Sequence, residues 1–441
     1  MIPRKVKVRG VKTSLTFTSI IQNYFSISPW LVEKLAEAEE ECREGGYFDR
    51  VEAVNARVHL KVLKAFQDLG INEFHFQDST GYGYGDVGRE ALEQLYARIF
   101  GGEAALVRPQ IVSGTHALSL CLQALLGSGD TVLAAYGRPY DTLSTVIGLG
   151  PPVRSRLSDR GIRYAQVDPA PEGPDLPAIA REVARLKPRL CLIQRSRGYQ
   201  DRSSLGVAAI GEIIETVKGA YPYTLCLVDN CYGEMVEDRE PCEVGADLTA
   251  GSLIKNPGGT LAPGGGYIVG KEGLVEEVAA YLTAPGLGRE LGAFTGKRIF
   301  YQGLFQAPLV VREALKGAIL AAAFFHKLGY PVDPMPWEER HDIVQTITLG
   351  RPEVLMAFCR GLQRGSPVEA QVMPEPAPLP GYTGEVIMAG GTFVQGASLE
   401  LTADAPLRPP YRVFLQGGIS LAYTRVALLL AAGEIEEEQG I

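Results

Sequence analysis

The chain has 441 residues, of which 46% are hydrophobic and 21% are charged, so it is long enough for two or three globular domains with a large core. Its net charge of −8 argues against a nucleic-acid groove or an anionic membrane surface as its partner. The seven cysteines form no CxxC pair, and we find no signal peptide and no apolar run of membrane-spanning length. These features favour a cytoplasmic protein. The five histidines are scattered along the chain, so they predict no metal site.

Residues 1–75 are predicted to form a basic arm followed by two helices. Apolar residues recur at helical spacing after Pro29, and Gly45 and Gly46 break the pattern once. We expect the arm to dock on a partner subunit.

A glycine-rich loop opens the predicted large domain, which covers residues 76–325. The loop carries Tyr82 and Tyr84, since so many glycines cannot lie inside a helix. Good helix formers at helical spacing follow directly, so the loop leads into a helix over residues 89–100.

A second turn combines small polar residues with the start of an apolar helix. Ser113, Gly114 and Thr115, followed by His116, leave backbone N–H groups and hydroxyls facing outward. Such a turn suits a phosphate, although an ordinary capping turn has the same sequence. Tyr140 lies in an aromatic loop beyond the next strand, where ligands bind in open α/β sheets.

Apolar strands alternate with helical segments along the middle of the chain. The strands are predicted at 190–194, 225–229 and 267–270, which argues for a mostly parallel, doubly wound sheet. A long apolar helix is predicted over residues 305–325. Prolines then mark a boundary, and residues 326–441 are predicted to form a smaller α+β domain.

Lys255 and Asp229 carry the strongest functional signal. Asp229 ends a buried strand, and Lys255 stands between a short apolar run and a glycine-rich turn. Both residue types are costly to bury without a partner. A site for pyridoxal 5'-phosphate (PLP) needs both residue types. The lysine forms the Schiff base, and the carboxylate keeps the pyridine nitrogen of the cofactor protonated. Lys255 alone would also fit an ordinary surface turn.

The order of these motifs resembles a known enzyme group. The stretch from Phe76 to Asp86, the Ser-Gly-Thr-His-Ala turn, Val-Asp229-Asn, Ser-Leu-Ile-Lys255 and the closing Gln416-Gly-Gly resemble the methionine gamma-lyase-like, or aluminium-resistance, family. This family belongs to the cystathionine/methionine-lyase group of fold-type I PLP enzymes. The resemblance implies a three-layer large domain with a mostly parallel seven-stranded sheet, a smaller C-terminal domain and an amino-acid substrate. It also implies a homodimer or homotetramer that shares its active sites.

The resemblance assigns roles to individual residues. Lys255 matches the lysine that holds PLP, Asp229 the acid on its pyridine nitrogen, and Tyr140 the tyrosine stacked on its ring. The positions that match the phosphate site are Ser113, Gly114, Thr115 and Ser252, with Tyr84, or Tyr82 as alternate, lent from the neighbouring subunit. Arg412 resembles the arginine for the substrate carboxylate; Arg408 and Arg425 compete, and a salt bridge to a distant acid is the structural alternative.

Three departures from the family pattern bear on the substrate. Ile254 replaces a hydroxyl residue before the lysine, and no arginine follows the Tyr82-Gly-Tyr84 pair. His116 stands where a small residue is usual, so it or Tyr136 could stack on the ring in place of Tyr140. For the Lys255 amine that a substrate has displaced, we further expect burial and nearby cations to lower the pKa and so make it a better base.

Three functions compete on this scaffold, because the fold does not fix the chemistry. The first is a carbon–sulfur lyase for a sulfur amino acid, of the methionine gamma-lyase or cystathionine beta-lyase type. The second is another PLP reaction on an amino acid, such as an aminotransferase or aldolase reaction. The third is a non-catalytic PLP-fold protein that acts in aluminium or other stress resistance.

Overall fold

The computed structural model describes residues 20–379, 382 and 384–440; the expected arm lies largely outside these ranges. Two helices come first, α1 (Pro29–Glu44) and α2 (Tyr47–Asp68), as predicted. Pro29 suits the first turn of α1, where its missing N–H has no helical partner. Gly46 adopts a left-handed φ of 68°, which lets the chain turn between the two helices.

The large sheet has seven strands in the order β1-β7-β6-β5-β4-β2-β3. Only β7 runs antiparallel to its neighbours, so the predicted mostly parallel sheet is confirmed. The strands are β1 (Ala104–Arg108), β2 (Thr131–Ala134), β3 (Arg163–Gln166), β4 (Leu190–Gln194), β5 (Leu225–Asp229), β6 (Leu248–Ser252) and β7 (Gly266–Gly270).

Helices cover both faces of this sheet, which gives the predicted three layers. The helices between α2 and the end of this region are α3 (Val87–Phe100), α4 (Gly114–Leu125), α5 (Asp141–Ile147), α6 (Leu176–Leu186), α7 (Val207–Ala220) and α8 (Glu272–Leu282). Apolar side chains of α4 and α8 pack on one face, and those of α6 and α7 pack on the other. Because both faces are covered, strands such as β4 are buried along their whole length.

A long helix, α9 (Lys297–Lys327), connects the large sheet to the rest of the chain and packs on α1 and α2. It begins eight residues before the predicted start of the helical region. Its sides contact other elements almost all round, which explains why its apolar residues do not form a narrow stripe. The region 20–440, as far as it is described, contains no helix that is long and apolar enough to span a membrane.

A second, antiparallel sheet follows α9, with strand order β10-β11-β12-β13-β9-β8. Its strands are β8 (Val332–Asp333), β9 (Val344–Thr348), β10 (Ala377–Pro378), β11 (Glu385–Ala389), β12 (Thr402–Pro406) and β13 (Arg412–Gln416). The helix α10 (Pro352–Arg364) packs on it, and α11 (Leu421–Gln439) packs on α10. The predicted α+β character of the C-terminal part is confirmed.

Candidate active site

A cavity of about 620 Å³ lies between the carboxyl ends of the large-sheet strands and the second sheet. Its size is ordinary for a site that holds a small molecule. The large-sheet side contributes Ser113, Gly114, Thr115, Tyr140, Asp229, Ser252 and Lys255, among others. The second sheet and its loops contribute Ser398, Asp404, Arg408 and Gln416, among others. Most of the residues that the sequence singled out therefore meet in one place.

Asp229 and Lys255 reach the cavity from the ends of neighbouring strands. Asp229 is the last residue of β5 and is only 3% exposed. Its Oδ1 accepts a hydrogen bond from the Cys231 N–H at 3.2 Å. Burial raises the pKa of this carboxyl, and the positive charge of Lys255 opposes that effect. Lys255 follows the end of β6, and its Nζ lies 3.7 Å from the centroid of the Tyr232 ring.

The pKa of Lys255 lies well above its ordinary value in this structure. Burial by itself lowers it, but the ionisable groups around the amine are acids, and they raise the pKa well above its ordinary value. These acids are Cys231, Tyr232, Asp229 and Tyr140. The expected lowering concerns the amine that a substrate has displaced, so it stays a prediction.

The start of α4 forms the predicted polar cradle. A Cβ on Gly114 would lie 3.2 Å from Cys231 Sγ and 3.3 Å from Ser252 Cβ, so glycine allows a close approach to the end of β6. Ser113 Oγ accepts a hydrogen bond from the His116 N–H at 3.1 Å and caps the helix. The N–H groups of the first turn have no acceptor within the helix, and the helix dipole favours an anion there.

Of the three candidates for stacking on the ring, Tyr140, Tyr136 and His116, Tyr140 is the one that lines the cavity. Its hydroxyl lies 3.0 Å from Thr115 Oγ1, and burial raises its pKa, so the phenol stays neutral. Tyr136 points elsewhere, since its hydroxyl donates to the Ser203 carbonyl at 3.2 Å. His116 Nδ1 accepts from the Val112 N–H at 3.2 Å, which fixes the ring beside its own turn. Neither Tyr136 nor His116 is among the described residues that line the cavity.

This set of groups fits PLP. Lys255 offers an amine for the aldehyde, Asp229 a buried carboxylate for the pyridine nitrogen, and the start of α4 an anion cradle beside Ser252. The close packing of Gly114 against Ser252 brings the cradle and the end of β6 together. Ile254 also lines the cavity, so one phosphate hydroxyl of the family pattern is indeed absent.

Arg412 does not occupy the place that the resemblance implied. Its Nη1 donates to Asp201 Oδ1 at 2.8 Å, and its Nε donates to Thr348 Oγ1 at 3.3 Å. It is not among the described residues that line the cavity, whereas Arg408 is. The structure thus shows the alternative for Arg412, a salt bridge with a distant acid. Arg425, the other competitor, pairs with Glu39.

Tyr82 and Tyr84 lie on the surface, 70% and 66% exposed, with ring centroids 5.5 Å apart. They are not among the described residues of the cavity lining of this chain. Their predicted role in a neighbouring subunit stays a prediction.

Two further groups at the site have little signal in the sequence. Tyr232, which lies under the Lys255 amine, has a left-handed φ of 72°, a strained conformation for a tyrosine. Its only sequence signal was its place three residues after Asp229. Glu234 lies buried behind the lysine, where burial raises its pKa to about 8. Its Oε1 accepts from the Tyr267 hydroxyl at 2.9 Å, while its Oε2 has no partner among the described residues.

Comparison with known proteins agrees with this geometry. The family model described as methionine gamma-lyase matches residues 31–436. The chain belongs to this family.

Relatives of this methionine gamma-lyase family member match over nearly their whole length. The uncharacterized protein YnbB of Bacillus subtilis strain 168 is 45% identical over 93% of this chain and 97% of its own length. A carbon–sulfur lyase involved in aluminium resistance from Clostridium novyi NT is 42% identical, with a TM-score of 0.89 over 94% of this chain and 98% of that one. A Listeria monocytogenes protein, described as a candidate cystathionine beta-lyase involved in aluminium resistance, is 45% identical, with a TM-score of 0.88 over 91% and 99%.

A more distant likeness concerns the fold alone. The PLP-dependent protein YhfS of Escherichia coli is 18% identical, with a TM-score of 0.60 over 88% of this chain and 97% of that one. The fold-type I architecture expected from the sequence is confirmed.

Proposed function

We propose that this protein is a PLP-dependent carbon–sulfur lyase that acts on a sulfur-containing amino acid. The observation that carries the proposal is the meeting of Lys255, Asp229 and the α4 cradle in one cavity. The description of the Clostridium novyi relative as a carbon–sulfur lyase supports the reaction class.

When bound, PLP supplies an electron sink for the negative charge that develops at the substrate Cα. Lys255 would hold its aldehyde, and Asp229 would keep a proton on its pyridine nitrogen. The free Lys255 amine would take the Cα proton of the substrate as the general base. The negative charge of Asp229 contributes to the high pKa of Lys255 in the present site, so offsetting that charge would favour the free base.

Two further residues would orient the substrate and the ring. Tyr140 would stack on the cofactor ring, with its neutral hydroxyl held by Thr115. Arg408 would bind the α-carboxylate, because it lines the cavity and its one hydrogen bond in the described residues is a long one, 3.5 Å to the Tyr199 carbonyl. A carboxylate bound by an arginine fixes the direction of the Cα–H bond.

The test is a panel of sulfur amino acids given to the wild type and to Lys255→Ala. We expect the wild type to release thiol and a 2-oxo acid together, and Lys255→Ala to release neither while keeping its fold by circular dichroism. Borohydride should fix the cofactor to Lys255 in the wild type only. Release of an amino group without thiol would favour an aminotransferase, and fixation to another lysine would refute the assignment.

A further inference from the structure

The wall of the cavity that the second sheet forms carries an acid with no role in the proposed reaction. Asp404, in the middle of β12, is 8% exposed and lines the cavity. A buried carboxylate is costly unless it is paired and hydrogen-bonded. Its place therefore requires an explanation in terms of its partners.

The described partners of Asp404 are neutral. Gln416 Nε2 donates to Asp404 Oδ2 at 3.1 Å, and the Tyr199 hydroxyl donates a second hydrogen bond. Burial raises the pKa of Asp404 above its ordinary value, and these two bonds and the charge of Lys255 only partly oppose that rise. Lys255 also faces Asp229 and would hold the cofactor, so it does not serve Asp404 alone.

An unpartnered hydroxyl lies on the same wall. Ser398 is 3% exposed and lines the cavity, and its Oγ has no hydrogen-bond partner in the described part of the chain. Buried hydroxyls in folded proteins nearly always have a partner, so this one indicates a ligand group. The carboxylate of Asp404 and the hydroxyl of Ser398 can both accept hydrogen bonds. Together they suit a cation that has several N–H donors.

We propose that Asp404, with Ser398, forms a subsite for an ammonium group at the far end of the substrate's thioether side chain. This proposal rests on the function proposed above. An ammonium ion carries three donors and makes strong, charge-assisted hydrogen bonds to a carboxylate. The S-methyl group of a methionine-like substrate has no donor and would leave Asp404 buried without a counter-charge. The favoured substrate class is thus a thioether amino acid with a distal amine.

Arg408 lies on the same cavity wall and bears the opposite charge. A substrate with an α-carboxylate at one end and an ammonium at the other would match both residues. The same two charges would disfavour a substrate with a distal carboxylate, since it would face Asp404.

The experiment compares two thioethers that differ in one group, S-(2-aminoethyl)-L-cysteine and S-propyl-L-cysteine, with the holoenzyme. We expect kcat/KM to be about 10- to 100-fold higher for the aminoethyl compound, as for hydrogen bonds to a charged group. Asp404→Asn keeps the shape and should lose most of this preference by slowing the aminoethyl compound, while S-propyl-L-cysteine changes about twofold or less.

Binding without reaction gives an independent readout. L-Lysine differs from L-norleucine only by its terminal amine and neither has a sulfur leaving group, so their affinities can be compared by calorimetry. The wild type should bind L-lysine at least about tenfold more tightly, and Asp404→Asn should bind the two alike. If Asp404→Asn fails to fold, Ser398→Ala takes its place in this test. It removes only a hydroxyl and should also reduce the preference for L-lysine.

The outcomes separate the two proposals. Equal kcat/KM for the two thioethers in the wild type, or equal affinity for L-lysine and L-norleucine, would overturn the subsite and leave the lyase proposal standing. No cleavage of either thioether, or of any sulfur amino acid in the panel, would overturn the lyase proposal. The calorimetric comparison would still decide whether the ammonium subsite exists.

Discussion

At the scale of single residues, Arg408 and Arg412 make a matched pair for testing how the substrate carboxylate is held. Lysine keeps the charge of arginine but loses its planar fork. Arg408→Lys should therefore raise KM for an α-amino acid substrate about tenfold, by loss of a bidentate bond, while Arg412→Lys should leave KM nearly unchanged.

The measurement is steady-state kinetics with the best thioether of the panel, together with the affinity for its carboxamide analogue. If Arg408→Lys no longer binds the thioether acid more tightly than its carboxamide, the result supports Arg408 as the site of the substrate carboxylate. If Arg412→Lys is the variant that loses this preference, the implication of the family resemblance holds and Arg408 is not the carboxylate site.

The case of Arg412 also shows what a sequence can predict about a residue. Arg412 is the first residue of β13 and lies on the same strand face as Gln416, which does reach the cavity. Four residues of strand separate the two by about 13 Å, so only one end of that face meets the site. The pairing of β13 with β9 and β12 decides which end of the strand reaches the site. These strands are distant in sequence, so the local pattern does not contain this information.

At the scale of elements, one buried ion pair ties the start of α9 to the start of α3. Lys297 Nζ lies 2.9 Å from Asp86 Oδ2, and both side chains are almost fully buried. Asp86 Oδ1 also caps α3 by accepting from the Arg89 N–H at 2.9 Å. Lys297 further donates to the carbonyls of Gln77 and Phe294, at 2.7 and 2.8 Å. The pair thus joins two helices with the loop before the tyrosines.

We expect Lys297→Met to lower the free energy of unfolding by about 3–5 kcal/mol, because it leaves a buried carboxylate without its partner. The measurement is urea denaturation at pH 7. Lys64→Met on α2 is the control; its ion pair with Asp68 is exposed, so its unfolding free energy should stay close to that of the wild type. An equal effect of both substitutions would contradict a special role for the buried pair.

The same pair sets a pH dependence of stability. Burial alone would raise the pKa of Asp86, but its bonds with Ser79 and Lys297 hold the pKa below the usual range. The folded state then binds fewer protons than the unfolded state, so this stability is present above the unfolded pKa of about 3.9 and is lost as the pH falls through the folded one. Lys297→Met should make the loss of stability between about pH 5 and pH 3 shallower.

Among the elements, the local pattern predicted those that are buried or strongly periodic. Strands such as β4 and helices such as α3 were predicted within a few residues. The sequence of β3, Arg163–Gln166, gave no signal, because it is an edge strand that pairs only with β2 and keeps polar side chains in water. The lysine and aspartate of the site were found from sequence because their charge conflicts with their apolar surroundings. Asp404 was missed, since nothing local separates it from a surface acid.

At the scale of the whole molecule, the loop with Tyr82 and Tyr84 is rigid but its tyrosines are exposed. Arg89 is fully buried beneath the loop and donates to the carbonyls of Gly83 and Gly292 at 2.7 and 3.0 Å. A Cβ on Gly83 would lie 2.8 Å from the Gly292 carbonyl oxygen, so the loop sits tightly on the chain. Two neighbouring aromatic side chains held outward on a fixed loop indicate a surface that is covered by a partner. We propose that this partner is a second copy, whose cavity the tyrosines complete.

Subunit complementation tests this shared site. Lys255→Ala lacks the proposed cofactor lysine, and a Tyr82→Ala/Tyr84→Ala double variant lacks the proposed contribution to the neighbour, so each homodimer should be nearly inactive. In a mixed dimer, one cavity combines an intact Lys255 with tyrosines from the other chain. Co-refolding equal amounts should restore roughly one quarter of wild-type activity, because half of the dimers are mixed and each has one complete site. Activity that stays at the level of the separate variants, or a fully active monomer in analytical ultracentrifugation, would show that each chain completes its own site.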